Sequence, residues 1–322
     1  MKLISFVIPV YEEKEGIAHF LKNELIPEIE KIEHYKKEIV IVNDGSTDGT
    51  LEIVQALIRQ NDSGIKMRLV SFSRNFGKEI ALAAGIHAAR GDAVISIDAD
   101  GQQPVNKIPA FIKKWEEGYQ IVSGIRDHYT KHGLIARLGS KLFYHLLKKM
   151  GNNHIKPGST DYRLLDRVVV DEYNKLTEHN RINRGLIDWI GFKNADIYYV
   201  YGSRYAGKTN YNFDKLFRLA INSFVSISVT PLLIFAYIGA FITFLGLALG
   251  IFCIVNQYIL NDPLHLYWGG AVQMSIFITF LIGLLMVSQS VTALYISQIH
   301  AETQKRPLYI IDHENSIDID DK

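Results

Sequence analysis

The last third of the chain sets the strongest constraint on folding: no charged residue lies between Leu219 and Asn261, and none between Pro263 and Ser297. Roughly 20 apolar residues suffice for a helix to cross a bilayer, so Leu232 to Val255 and Trp268 to Leu294 predict a two-helix transmembrane hairpin. Its loop, Asn256 to Tyr267, has no Lys or Arg, whereas Lys208, Lys215 and Arg218 precede the hairpin and Lys305 and Arg306 follow it. Positive charge favours the cytosolic side, which predicts an integral protein of the cell membrane with both termini cytosolic. Tyr258, Tyr267 and Trp268 then mark the far interface. Before the hairpin, Phe213 to Val225 carries apolar residues at helical spacing opposite Asp214, Lys215 and Arg218, as an interfacial helix does.

The remainder reads as a water-facing domain. The run Leu3 to Val10 is too short, and too soon followed by Glu12, Glu13 and Glu15, for a secretory segment. Lys plus Arg total 35 against 34 Asp plus Glu, so no basic field argues for nucleic acid. Cys253 has no partner for a disulfide within the chain. The expected organisation is a catalytic domain over 1–211, an interface-helix region over 212–230, the hairpin over 231–296 and a cytosolic tail over 297–322, whose acidic end from Asp312 reads as disordered.

Within the first domain, strands and helices alternate. Leu3 to Val10, Glu38 to Val42, Met67 to Ser73, Val94 to Ile97 and Tyr119 to Gly124 read as strands, with helices over Thr50 to Arg59 and Lys78 to Ala89 and an amphipathic stretch after the first strand. This order predicts an α/β fold with a mostly parallel sheet. Each early strand ends in a polar cluster, and such ends gather at one sheet edge. The clusters are Pro9 to Glu13, Asn43 to Thr50, Ser73 to Lys78 and Asp98-Ala99-Asp100-Gly101-Gln102-Gln103-Pro104. Aromatic and carboxylate groups there suit a nucleoside. Asp98 and Asp100, two apart, suit a hard cation on a diphosphate. No Gly-x-Gly-x-x-Gly and no P-loop is present, so a site for a phosphorylated nucleoside must draw its neutralising charge from elsewhere.

Together, Val7 to Glu12, Val42 to Asp48, Ser73 to Lys78 and Asp98 to Gln102 resemble the family 2 glycosyltransferases of GT-A fold. With the hairpin, the chain is similar to the polyprenyl-phosphate branch of that family. The resemblance implies that Pro9, Tyr11, Glu12, Asp44, Asn75, Lys78 and Asp98 take the nucleotide sugar, and that Asp98, Asp100 and Gln102 hold Mg2+ or Mn2+. The family carries an Asp where this chain has Gln103. Arg126 and Arg137 match the arginines that grip a lipid phosphate, Asp161 matches the proposed general base, and Arg204 and Lys208 lie in a loop that closes on the diphosphate. Orienting Arg163 is a milder role for Asp161. The implied reaction moves a hexose, glucose from UDP-glucose first and N-acetylglucosamine or another sugar second, onto undecaprenyl phosphate at the cytosolic face, with inversion. The rival reading is a non-catalytic membrane-tethered scaffold that binds nucleotide sugars. A homo-oligomer stays open.

Overall fold

The computed structural model describes residues 1–127, 158–178, 181–202, 255, 270–304 and 306–319. The chain divides into two units, Met1–Asn210 with Arg306–Lys322, and Tyr211–Lys305.

In the first unit the apolar β-branched runs become central strands. These are β1 (Leu3–Val10), β2 (Lys36–Asn43) and β4 (Ala93–Ser96), with β3 (Lys66–Ser71) outside β2. Side chains alternate across a strand, so Ile4, Phe6 and Ile8 of β1 join one apolar layer and Val7 the other. Burial on both faces explains why these strands read as unbroken apolar runs. Each buried leucine-sized side chain stabilises the fold by about 2 kcal/mol.

One layer is covered by α3 (Thr50–Arg59), by α5 (Ile108–Glu116) and by the segment after β1. That segment is not a uniform helix. It runs as α1 (Ile17–His19), a π-helical Phe20–Leu25 and α2 (Ile26–Glu30), with Pro27 at the start of α2. Proline has no N–H to donate to the preceding turn, which favours such a local change of winding. The other layer is covered by α4 (Lys78–Ala88) and α6 (Arg167–Tyr173). Gly85 lets α4 lie close on β1, because a Cβ there would come within 2.2 Å of Val7 Cγ1.

Three further strands complete the sheet: β5 (Ile121–Arg126), β6 (Ser159–Asp166) and β7 (Asn194–Tyr199). The order is β3-β2-β1-β4-β6-β5-β7. Strands β1, β2, β3 and β4 are parallel where they pair, as are β5 and β7, whereas β6 runs against both neighbours. The expected mostly parallel sheet is therefore present, with one reversed strand that Ser159-Thr160-Asp161-Tyr162-Arg163 did not announce. Its central Arg163 is 1% exposed and is tolerated because Asp188, on α7 (Asn183–Ile190), takes its guanidinium at 2.5 and 3.2 Å while Ser159 Oγ accepts a further bond.

The tail corrects an expectation. Asp312–Ile319 is ordered and forms part of a strap that begins at Arg306. Ile311 and Ile317 bridge Phe72 and Leu69 antiparallel on the free edge of β3, and Tyr309, Ile311 and Ile319 pack against the α4 layer. Net acidity masked the apolar residues at its two ends, Leu308 to Ile311 and Ile317 with Ile319.

In the second unit, α8 (Gly270–Thr303) is 34 residues long and covers most of the second predicted span. Counted over the described side chains, no helix is long and apolar enough to cross a membrane. Several large apolar side chains of α8, among them Met274, Leu285 and Ile299, are exposed. The first predicted span except Val255, the interfacial helix expected over Phe213 to Val225, and Arg137, Arg204 and Lys208 lie outside the described residues.

Candidate active site

Because β1, β2 and β4 point the same way, their carboxyl ends deliver Pro9 and Tyr11, Asp44, and Asp98 to one edge. A cavity of about 350 Å³ opens there, walled by these residues with Glu13, Asn75, Lys78 and Asp100. A smaller cavity of about 170 Å³, between Leu21, Ile26 and Leu57, has no comparable pair of carboxylates.

The nucleoside end is built from interlocking loops. Asp44, 1% exposed, accepts from the N–H groups of Phe76 (2.7 Å) and Gly77 (2.9 Å). Burial raises its carboxyl above the usual range, against the pull of those two donors. Gly45 permits the contact: at φ +65° its Cβ would fall 2.3 Å from the Arg74 carbonyl carbon. Glu12 is not among the residues walling the cavity. Its Oε1 accepts from the Thr47 N–H and hydroxyl at 2.9 and 3.0 Å, joining the loops after β1 and β2, and Glu13 stands at the wall in its place.

The acidic end is more tightly organised than the motif implied. Asp98 Oδ1 pairs with Lys78 Nζ at 2.6 Å, and Asp98 Oδ2 accepts from Gln103 Nε2 at 2.6 Å. Gln103 Oε1 in turn accepts from the Asp98 N–H at 2.9 Å. Asp100 Oδ1 accepts from the Gln102 N–H at 3.0 Å, closing the turn. Burial alone would lower Lys78, but Asp98, Asp161 and Asp100 hold its ammonium well above the ordinary lysine value. The side chain is 54% exposed, so solvent screens part of that attraction.

Asp161 arrives from the reversed strand. Register pairs Ser96, the last residue of β4, with Arg163, and Asp161 lies two residues before Arg163 on β6. Ser96 Oγ donates to the Asp161 carbonyl. Asp161 Oδ1 is buried with no hydrogen-bond partner among the described residues. It does not orient Arg163, whose guanidinium Asp188 holds.

Three residues that the motifs did not single out complete the edge. Tyr201 stacks under Arg126, 4.2 Å from guanidinium carbon to ring centre, and Gly202 N–H donates to Gln102 O at 3.0 Å, so the segment after β7 joins the arginine to the Asp98–Gln102 turn. Glu79 lies beside Lys78 and accepts from the Asn183 N–H at 2.8 Å. Burial first, and the charge of Asp161 second, push Glu79 up to about 7. Only the pattern of a buried acid at a helix start could have flagged it.

Among the described residues no three acidic, histidine or cysteine side chains converge closely enough to cage a metal. The proposed set of two carboxylates and an amide still fits a hard cation, which prefers oxygen donors and retains water. The Lys78 ammonium at 2.6 Å from Asp98 marks the turn as a place that draws positive charge.

The family model described as Glycosyl transferase family 2 matches residues 5–173. The chain is 37% identical over 308 residues to a prophage bactoprenol glucosyl transferase homolog of Escherichia coli (strain K12), covering 96% of this chain and 98% of that protein. It is 36% identical over 308 residues to a bactoprenol glucosyl transferase of Shigella phage SfX, with the same coverage. Among solved structures, a mannosyltransferase from Pyrobaculum calidifontis in complex with GDP-Man and Mn2+ matches with 21% identity and a TM-score of 0.45, over 64% of this chain and 58% of that one. The chain belongs to glycosyl transferase family 2, and its first unit is a glycosyltransferase domain with a GT-A-like α/β fold.

Proposed function

We propose that the protein transfers a hexose, glucose from UDP-glucose first, onto a polyprenyl phosphate at the cytosolic face of the cell membrane. The observation that carries this reading is the nearness of Asp161 to the end of β4, where Ser96 Oγ donates to its carbonyl two residues before Asp98. It brings the cavity walled by Asp98 and a partly buried carboxylate, whose Oδ1 has no hydrogen-bond partner among the described residues, to one edge, with Arg126 nearby. Relatives named bactoprenol glucosyl transferase, matched along almost their whole length, support the choice of sugar and lipid.

Tyr11, Asp44 and Asn75 bind the nucleoside, and Lys78 faces the diphosphate. Asp98, Asp100 and Gln102 hold Mg2+ or Mn2+, which when bound neutralises charge on the departing nucleotide. Arg126, steadied by Tyr201, places the acceptor phosphate, whose geometry a guanidinium matches. That phosphate is already ionised near neutral pH, so Asp161 orients the attacking oxygen and accepts any remaining proton. Attack from the face opposite the leaving group inverts the anomeric centre. The family resemblance assigns Arg137 to the acceptor phosphate and Arg204 and Lys208 to the diphosphate. The anchor remains the two-helix hairpin read from the sequence: between Trp268 and Leu294 the chain has no acidic or basic residue, and so long an uncharged, largely apolar stretch suits lipid.

Purified full-length protein in detergent, given Mn2+ or Mg2+, undecaprenyl phosphate and labelled UDP-glucose, UDP-N-acetylglucosamine or GDP-mannose, is expected to label the lipid from UDP-glucose fastest. Asp161→Asn is expected to lower kcat by about 10²-fold with donor KM little changed. Folded protein that binds nucleotide sugar and labels no lipid from any donor sinks the reading and favours a binding scaffold.

A further inference from the structure

The strap Arg306–Ile319 lies far from the motifs in sequence, yet it leads to the nucleoside loop by an unbroken series of contacts. Leu69 and Ile317 exchange N–H···O bonds of 3.0 and 2.9 Å, Asp312 N–H donates to Ser71 O at 2.8 Å, and Ser73 N–H donates to Ile310 O at 3.1 Å. The Ser71 N–H donates to Ser316 Oγ at 2.9 Å. An edge strand left open would offer these groups to other chains; here the chain's own end takes them. Below β3, the buried Arg68 donates to the Asp318 carbonyl at 2.8 Å, and Lys66 pairs with the Asp318 carboxylate at 2.7 Å.

At the other end of the strap, Tyr309 stacks on Phe72 with ring centres 4.9 Å apart and 20° between planes. Phe72 meets Phe76 edge to face at 5.6 Å, and the Phe76 ring also carries the Arg74 guanidinium at 4.2 Å. The backbone of Phe76 and Gly77 is what fixes both oxygens of Asp44. Three rings therefore connect the C-terminal segment to the carboxylate at the nucleoside end of the pocket.

We infer that Tyr309 is a positioning residue for nucleotide binding: by stacking on Phe72 it holds the Arg74–Gly77 loop in the conformation that presents Asp44. The inference rests on the donor-binding role proposed above for Asp44. A nucleoside contact depends on sub-ångström placement of its wall, and an aromatic pair contributes enough orientation to change affinity several-fold. A filler of space alone would affect stability and leave affinity untouched.

The test is calorimetric binding of UDP with Mn2+ to the full-length protein in detergent, alongside steady-state kinetics and thermal midpoints. Tyr309→Ala is expected to weaken UDP binding and raise donor KM about fivefold, leaving acceptor KM and kcat at saturating donor unchanged. Tyr309→Phe, which keeps the ring, restores wild-type values. If Tyr309→Ala does not fold, Tyr309→Leu preserves burial without the stacked plane and is expected to show the same donor-specific loss. Wild type that binds UDP with Tyr309→Ala or Tyr309→Leu binding equally well overturns the strap's role and leaves the donor site standing. Wild type that binds no nucleotide overturns both.

Discussion

Gln103 grips Asp98 at two points, its amide oxygen accepting from the Asp98 N–H at 2.9 Å and its amide nitrogen donating to Asp98 Oδ2 at 2.6 Å. At 1% exposure it is part of the interior. The departure from the family motif is thus a neutral clamp on one oxygen of the carboxylate assigned to the metal, whose other oxygen pairs with the Lys78 ammonium.

Removing that clamp frees Asp98 to rotate. Gln103→Leu is expected to weaken Mn2+ binding and turnover by about 10- to 100-fold, the range for groups that orient a metal ligand. Electron paramagnetic resonance titration of free Mn2+ reads the affinity directly; unchanged affinity would remove Gln103 from the site's support.

Lys78 acts on the same carboxylate with the opposite effect on metal. Its ammonium counters Asp98, Asp161 and Asp100, so Lys78→Met is expected to tighten Mn2+ binding while lowering kcat/KM for the nucleotide sugar by about 10²-fold. Weaker Mn2+ binding in the variant would contradict this account.

The reversed strand depends on one buried ion pair. Asp188→Ala leaves the Arg163 guanidinium uncompensated at 1% exposure and is expected to destabilise the first unit by about 3 kcal/mol. Chemical denaturation followed by tryptophan fluorescence measures it. A loss below about 1 kcal/mol would mean that Ser159 and the Thr160 carbonyl suffice.

Glu79 gives a pH signature. Burial, then Asp161, raise it from 4.5 to about 7 in the folded chain. Between those values the folded state holds more protons than the unfolded state, so this group's contribution to stability falls as pH rises through the window. Glu79→Gln is expected to flatten the decline in thermal midpoint between about pH 5 and about pH 8. Parallel curves for variant and wild type would place the titration elsewhere.

The central strands were legible because burial on both faces demands unbroken β-branched runs: β1 matches Leu3 to Val10 and α3 matches Thr50 to Arg59 residue for residue. The edge that collects Pro9, Asp44 and Asp98 followed from parallel topology. What escaped was non-local. Strand β6 hides because its buried Arg163 is made tolerable by Asp188, 25 positions away. Glu79 gains its character from burial and from the charge of Asp161, which is distant in sequence. Acidic composition concealed the strap, whose ordering comes from unpaired groups on β3 rather than from its own periodicity.

The reversal of β6 divides the site by chain polarity. Donor groups sit where strands end, held by the loops that follow; Asp161 sits where a strand begins and answers to the connection that precedes it. On the proposed assignment of Asp161 to the acceptor and of the strand-end loops to the nucleoside, changes in length or sequence between Arg126 and Ser159 re-aim the acceptor side without passing through the donor loops. A family built on this plan can exchange acceptors by altering one inter-strand connection while inheriting its sugar-nucleotide recognition intact.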